Sequence, residues 1–164
     1  MDELHAAPLS SASRIVSIID VADPEPLVLR SAAVPVLTLR FDDVSAANDP
    51  TAAQAHHIQR LLAFDRDAGP DERLVVHCTA GISRSTAALA VLLARRHPEL
   101  DDEIFAAIRR IRPMAWPNSR IVALGDDALA RGGALTAALQ RHYETQLQHP
   151  QLGAVFRAVT GYDE

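Results

Sequence analysis

The fold of this chain is decided by the stretch Leu74-Val75-Val76-His77-Cys78-Thr79-Ala80-Gly81-Ile82-Ser83-Arg84-Ser85. The apolar residues at its start predict a short buried strand, and the Ala- and Leu-rich residues 86–94 behind it predict a helix. The N-terminus of a helix has unpaired N–H donors and roughly half a positive charge, so it attracts anions. The stretch therefore predicts a strand, an anion-binding loop and a helix in succession.

Cys78 is the only cysteine of the chain, and Arg84 follows it six residues later. A helix N-terminus and a nearby arginine both favour the thiolate of a cysteine, which is its nucleophilic form. The planar guanidinium of Arg84 can bind two phosphate oxygens at once. Ser85 can donate a hydrogen bond to the thiolate, which helps the sulfur to leave when a phosphoenzyme breaks down. The spacing predicts a site that holds a tetrahedral dianion against Cys78.

The other residues of the loop are predicted to shape it and to bind the phosphate group of a substrate. Gly81 permits a backbone conformation or a close approach that a Cβ would obstruct. We expect His77 to fix the backbone of Cys78 by a hydrogen bond rather than to act as a base. The predicted phosphate-binding residues are Thr79, Ala80, Gly81, Ile82, Ser83 and Arg84.

Other interpretations of the loop explain fewer of its residues. A buried structural cysteine would account for Cys78 and for none of the neighbouring positions. A Walker-type loop needs a Gly-Lys-Ser/Thr ending, which is absent from the stretch. Zinc needs ligand pairs at a recognised spacing, and one cysteine with seven scattered histidines provides none. We therefore predict no metal and no cofactor.

The pattern His77-Cys78-x-x-Gly81-x-x-Arg84-Ser85 resembles the signature of cysteine-dependent protein phosphatases, in their compact dual-specificity-like branch. The wider chain is similar to small bacterial predicted tyrosine phosphatases through residues 40–43 and 113–118. The resemblance covers about residues 12–135. It implies a phosphatase domain, which is predicted over 14–164 with a C-terminal helical extension, and the small, polar residues 1–13 predict a flexible N-terminus. Asn118 is predicted to cap its helix and to brace the phosphate loop.

The resemblance also implies a general acid, an aspartate in a loop upstream of the cysteine. The chain has two candidates, Asp42 and Asp43, at the end of a predicted strand. Side chains alternate along a strand, so Asp43 continues the apolar face of Leu37, Leu39 and Phe41, whereas Asp42 lies on the opposite face. Alternation favours Asp43, and Asp42 remains open because alternation often fails at a strand end.

Strands and helices are predicted to alternate along the chain, which indicates an α/β fold with a mostly parallel central sheet and helices on both sides. His56 and His57 are expected on a solvated helix face. One helix is expected to start at Asp49-Pro50, and another to be capped by Asp101 or Asp102. The predicted strands are 14–20, 34–41 and 74–76, and the later helices are 85–96, 118–131 and 134–148.

Composition narrows the partners and the compartment. Apolar residues make up 48% of the chain and the net charge is −5, which fits a globular domain and argues against nucleic acid as a partner. No run approaches the ~18 apolar residues of a membrane span, and no secretory signal is visible. A single cysteine fits a reducing cytoplasm.

These observations predict a phosphomonoester hydrolase that works through a cysteinyl-phosphate, with a phosphorylated protein or a small phosphoester as substrate. Phosphotyrosine-only and dual specificity both remain open. The alternatives are a pseudophosphatase that binds phosphate without turnover, a phosphatase for a non-protein phosphoester, and a sulfur-transfer enzyme of the rhodanese kind. The spacing of Gly81, Arg84 and Ser85 favours phosphate over sulfur transfer.

Overall fold

Three parallel strands form the centre of the fold. The computed structural model describes residues 11–66, 69 and 71–149. Strands β1 (Arg14–Ile19), β2 (Val36–Arg40) and β3 (Leu74–His77) lie in the order β2-β1-β3, and both pairs are parallel. Each strand is rich in β-branched residues, which suit a pleated and buried surface. The predicted α/β fold with a mostly parallel sheet is confirmed.

Five long helices and one single-turn helix accompany the sheet in the described part of the chain. The single turn, α1 (Leu27–Arg30), precedes β2 and was not predicted. The other helices are α2 (Ala55–Arg66), α3 (Arg84–Arg96), α4 (Asp101–Ile111), α5 (Ser119–Ala128) and α6 (Ala134–Leu147).

The two faces of the sheet are covered unequally. Val16 and Ile18 of β1 point into a large core to which all five long helices contribute apolar side chains. Ile15, on the opposite face of β1, packs in a small cluster with Leu29 of α1. Among the described residues, helices therefore lie on both sides of the sheet, and one side has only a single helical turn. The carboxyl ends of all three strands meet at one edge because the strands are parallel.

The helix that was expected to start at Asp49-Pro50 starts later, so that prediction is wrong. The Oδ1 atom of Asp49 accepts hydrogen bonds from the backbone N (2.8 Å) and the hydroxyl (2.7 Å) of Thr51, which makes a turn instead of a helix cap. Helix α2 begins at Ala55, and Gln54 N donates to His57 Nδ1 at 3.0 Å. His57 is buried, contrary to expectation, and burial lowers its pKa to about 4.

The aspartates at the start of α4 do not cap it. Leu100 occupies the N-cap position without a side-chain hydrogen bond, and Asp101 and Asp102 lie in the first helical turn. Their carboxylates bind arginines instead: Asp101 pairs with Arg131, and Asp102 Oδ1 accepts from Arg141 Nε at 2.8 Å.

The predicted flexible segment 1–13 lies outside the described residues up to residue 10. The end of the predicted domain, from residue 150 onward, also lies outside them.

Helices α3 and α5 pack tightly against each other at Gly125. A Cβ added to Gly125 would lie 2.2 Å from Val91 Cγ2, which belongs to a fully buried side chain. We expect Gly125→Ala to lower the free energy of unfolding by about 1–3 kcal/mol, because overpacking forces side chains and backbone to shift. Denaturant unfolding measures this loss. The double variant with Val91→Ala should recover part of it, and a single variant as stable as the wild type would contradict the packing argument.

Candidate active site

Cys78 lies where strand β3 ends and helix α3 approaches. It directly follows His77, the last residue of β3, and five residues separate it from Arg84, the first residue of α3. The cysteine is 9% exposed, and its Sγ lies 3.3 Å from Ser85 Oγ. The thiol therefore lies before the N-terminus of a 13-residue helix, with a hydroxyl within hydrogen-bond distance.

The loop after Cys78 keeps its backbone donors available. No acceptor in the described part of the chain pairs with the backbone N–H groups of residues 79–83. Gly81 has φ +66°, and a Cβ on it would lie 2.5 Å from Arg112 Nη2. Gly81 is therefore favoured by its positive φ, whereas the exposed Arg112 side chain could move to make room for a Cβ.

Residues 112–118 run along the outer side of this loop and bind three successive carbonyl groups. Arg112 Nε donates to Gly81 O at 3.0 Å. Trp116 N donates to Ile82 O at 2.9 Å, and the backbone N of residue 118 donates to Ser83 O at 3.3 Å. In a trans peptide the C=O and the following N–H point in opposite directions. Binding these carbonyls therefore turns the N–H groups of residues 82–84 away from segment 112–118.

Arg84 is buried beneath the loop and held by two neighbouring elements. Its Nη1 donates to Asp20 Oδ1 at 2.6 Å and to Phe41 O at 2.8 Å. Its Nη2 donates to Thr79 Oγ1 at 3.2 Å. Its Nε is buried and has no hydrogen-bond partner among the described residues. A guanidinium fixed on one edge with an unpaired N–H is suited to bind an anion.

Asp43 is the carboxylate that reaches the loop. Its Oδ1 accepts hydrogen bonds from Ser83 Oγ at 2.7 Å and from Asn118 Nδ2 at 2.9 Å, and its side chain is exposed. Asp42 faces elsewhere, since its Oδ1 accepts from Val21 N at 2.8 Å. The structure thus brings Asp43 and the cysteine loop together, whereas Asp42 binds the connection after β1.

Asn118 joins three parts of the site. Its Oδ1 accepts from Ile121 N at 3.1 Å and caps helix α5. Its Nδ2 donates to Asp43, and its backbone N donates to Ser83 O. The aspartate is thereby fixed to a helix end and to the phosphate loop at once.

Helix α6 holds the segment 112–118 by side chains that bind its carbonyl groups. Gln146 Nε2 donates to Pro113 O at 2.8 Å and to Ala115 O at 2.9 Å. The buried His142 lies with its Nε2 3.0 Å from Ala115 O and its Nδ1 2.9 Å from Arg109 Nη1. Burial lowers the pKa of His142. The ring is therefore held neutral, donating to the carbonyl and accepting from the arginine.

Tyr143 adds an aromatic contact to this support. Its hydroxyl donates to Pro117 O, and its ring stacks on Trp116 with a centroid distance of 4.4 Å. Burial, and to a smaller extent the charge of Asp43, raise the pKa of Tyr143. The tyrosine is thus a neutral hydrogen-bond donor near Asp43.

His77 lies directly behind the cysteine. Burial lowers its pKa, and a hydrogen bond to the backbone of Cys78 partly opposes that shift. A neutral ring bound to the cysteine backbone is suited to support the loop.

Three residues that build the site were not found from the sequence. Asp20 carried a usable signal, because it directly follows a buried strand at the edge of the sheet where Cys78 emerges. Arg112 immediately precedes segment 113–118, through which the chain resembles known phosphatases. This position was also a usable signal. Tyr143 lies 100 residues beyond Asp43 and carried no local signal.

The described residues contain no cluster of three or more His, Cys, Asp or Glu side chains that could hold a metal ion. None of the helices in that part of the chain combines the length and apolar character needed to cross a bilayer.

Comparison with known proteins finds one curated protein that is similar in sequence and many solved structures that are similar in fold. No protein-family model matches the chain. Dual specificity protein phosphatase 22-B of Danio rerio is 30% identical over 95 residues, which are 57% of this chain and 52% of that protein. The chain thus spans about half the length of the curated relative it matches.

Solved phosphatase structures share the fold. Tk-PTP in its active form has a TM-score of 0.57 at 18% identity, over 75% of this chain and 82% of that one. Human DUSP28 has a TM-score of 0.56 at 20% identity, over 76% and 81%. The chain resembles the compact dual-specificity-like protein tyrosine phosphatases and has their fold. The more specific similarity to small bacterial phosphatases stays a prediction.

Proposed function

We propose that this chain is a metal-independent phosphomonoester hydrolase of the protein-tyrosine-phosphatase type that forms a cysteinyl-phosphate. The observation that carries the proposal is the convergence of Cys78, Arg84 and Asp43 on one loop with unpaired backbone N–H groups. A thiol, a buried guanidinium and a carboxylate supply the nucleophile, the phosphate binder and the acid of such a reaction.

In the first step the Cys78 thiolate attacks phosphorus, so an S–P bond forms as the P–O bond to the leaving group breaks. The non-bridging oxygens bind Arg84 and the N–H groups of the loop, where negative charge is stabilised most effectively. Asp43 gives its proton to the leaving oxygen. Both of its hydrogen bonds end on Oδ1, which leaves Oδ2 to carry that proton.

In the second step water replaces the sulfur. Asp43, now ionised, takes a proton from the water as the water oxygen attacks phosphorus and the S–P bond breaks. The thiolate leaves as inorganic phosphate forms. The hydroxyl of Ser85, 3.3 Å from Sγ, donates to the departing thiolate.

The substrate proposed is a phosphorylated protein, with phosphotyrosine or dual specificity, in the reducing cytoplasm that a free catalytic thiol requires. Thr79, Ala80, Ile82 and Ser83 are uncharged, so the loop has no extra cation for a polyanionic lipid or inositol phosphate. A small phosphoester is the alternative substrate, and a catalytically weak phosphate-binding protein is the alternative function.

One assay separates these functions. We expect the purified chain to hydrolyse an aryl phosphate in the presence of a chelator and a thiol reductant, and to leave thiosulfate unchanged. Peroxide should inactivate it, and inorganic phosphate should protect it, because the thiolate is the oxidisable form. Activity that disappears with chelator and returns with metal would contradict the mechanism. Phosphate binding without hydrolysis would support the pseudophosphatase.

Arg84→Lys should raise KM and lower kcat together. The ammonium of lysine keeps the charge but loses the planar fork that binds Asp20 and a phosphate oxygen at the same time. We expect a loss in kcat/KM of roughly 10²–10³-fold, measured with an aryl phosphate.

Arg131→Lys is the matched control, because Arg131 is also a largely buried, ion-paired arginine. It donates to Pro98 O and pairs with Asp101, away from the loop. It should affect stability and leave KM unchanged. Wild-type kinetics for Arg84→Lys would show that this loop is not the phosphate site.

A further inference from the structure

A row of polar side chains crosses the sheet directly behind the catalytic loop. It lies on the face that carries the small apolar cluster of Ile15 and Leu29. Ser17 of β1 is the register partner of Thr38 in β2 and of His77 in β3. Val16 and Ile18 point into the large core, so Ser17 points to the opposite face. Val76 packs against that large core as well, which places His77 on the same face as Ser17.

Two members of this row have unpaired polar atoms. The Oγ of Ser17 and the Nε2 of His77 are both buried and without a hydrogen-bond partner among the described residues. Ser17 is 0% exposed. The third member, Thr38, is satisfied, because its Oγ1 donates to Glu25 Oε1 at 2.6 Å. Buried polar groups in proteins are nearly always hydrogen-bonded, so these two atoms on register partners each lack one expected hydrogen bond.

The chemistry of the two atoms is complementary. His77 binds the Cys78 backbone through its other ring nitrogen, and burial keeps the imidazole neutral by lowering its pKa. A neutral imidazole that donates through one nitrogen accepts through the other. Nε2 is then an acceptor, and the Ser17 hydroxyl is a donor on the adjacent strand.

We propose that Ser17 is a positioning residue for Cys78: its hydroxyl donates to His77 Nε2, directly after a rotation about χ1 or through one shared water, and so fixes the imidazole that binds the cysteine backbone. The role in catalysis rests on the proposed function. The effect on the reactivity of the thiol does not, because it depends only on how the chain leaves β3 and enters the loop.

The expected consequence is a change in thiol reactivity. Without the hydroxyl, Nε2 has no donor and the ring can adopt the other tautomer or rotate. The backbone of Cys78 then loses its partner at the point where the strand becomes the loop. The N–H groups that stabilise the thiolate become less well aligned, so the sulfur reacts more slowly with an alkylating agent.

The test measures alkylation of Cys78 by iodoacetamide against pH, with no phosphoester present. Because Cys78 is the only cysteine, the reaction reports one site. We expect Ser17→Ala to slow alkylation roughly 3- to 10-fold at neutral pH, because the loop stabilises the thiolate less well. Ser17→Thr, which keeps the hydroxyl, should restore the wild-type profile. Thr38→Val removes a hydroxyl of the same row that binds Glu25 instead of His77. This variant should leave the alkylation profile unchanged.

A second measurement reads the protonation of His77 in the wild-type chain. The ¹⁵N signals of His77, assigned by their loss in His77→Gln, should show protonated Nδ1 and a hydrogen-bonded, unprotonated Nε2. Protonated Nε2 in the wild type would overturn the proposal. So would a Ser17→Ala variant whose alkylation profile and His77 signals match the wild type. A chain that hydrolyses no phosphoester but shows these shifts would refute the proposed function alone.

Discussion

Replacement of Cys78 by serine will abolish phosphoester hydrolysis and leave phosphate binding intact. A serine hydroxyl is not ionised at neutral pH, so the nucleophile is lost. Arg84 keeps its bonds to Asp20 and Phe41, and the backbone donors of the loop remain. We expect kcat to fall by roughly 10⁴-fold or more, measured with an aryl phosphate, while calorimetry with vanadate or phosphate still detects binding.

Ser85→Ala is the control for this variant, because Ser85 contacts the sulfur without being the nucleophile. It should slow the breakdown of the phosphoenzyme, and a burst of leaving group should precede a slower steady state. If Cys78→Ser kept more than about a tenth of the wild-type rate, the cysteinyl-phosphate would have to be abandoned.

Replacement of Asp43 by asparagine will produce a loss that depends on the leaving group. General-acid catalysis contributes roughly 10²–10⁴-fold, so we expect that loss with a tyrosyl or alkyl phosphate. The loss should be much smaller with a leaving group that departs unprotonated. Asparagine preserves the Oδ1 acceptor that Ser83 and Asn118 bind, so only the proton is removed. The basic limb of the pH–rate profile should also flatten.

Asp42→Asn is the matched control, since Asp42 is adjacent in sequence but binds Val21. It should have little effect on either substrate. A leaving-group-dependent loss in that variant would mean that alternation selected the wrong carboxylate. If neither variant shows one, the acid lies elsewhere. Asp49, the next candidate along the chain, is poorly suited, because two hydrogen bonds from Thr51 lower its pKa.

The sheet and the position of Asp43 could be predicted because both follow from local periodicity. The three strands are apolar, β-branched runs bounded by turn residues. The alternation of side chains along the strand through Leu39 and Phe41 favoured Asp43 over Asp42. The structure places those two carboxylates in different surroundings. The strand–loop–helix around Cys78 was also local, since nine consecutive residues carry its pattern.

The errors occurred where a side chain had more than one available partner. Asp49 was expected to cap a helix and instead closes a turn with Thr51, and Asp101 binds Arg131. The partner of Asp101 lies 30 residues away in sequence, whereas Asp49 made a local choice between a helix cap and a turn. Asp20 lies 64 residues before the arginine it holds. No pattern within a window of a few turns can contain that information.

The hydrogen bonds from α6 to residues 113–117 make this helix, the last one in the described part of the chain, a thermodynamic part of the site. Gln146 and Tyr143 bind the very segment whose backbone fixes the phosphate loop. Local opening of α6 would therefore release the loop while the sheet stayed folded. A chain truncated near residue 135, where the family resemblance stops, would keep Cys78, Arg84 and Asp43 and still lose the order among them. The region that resembles the family is thus shorter than the smallest part of the chain that can fold cooperatively into an active site.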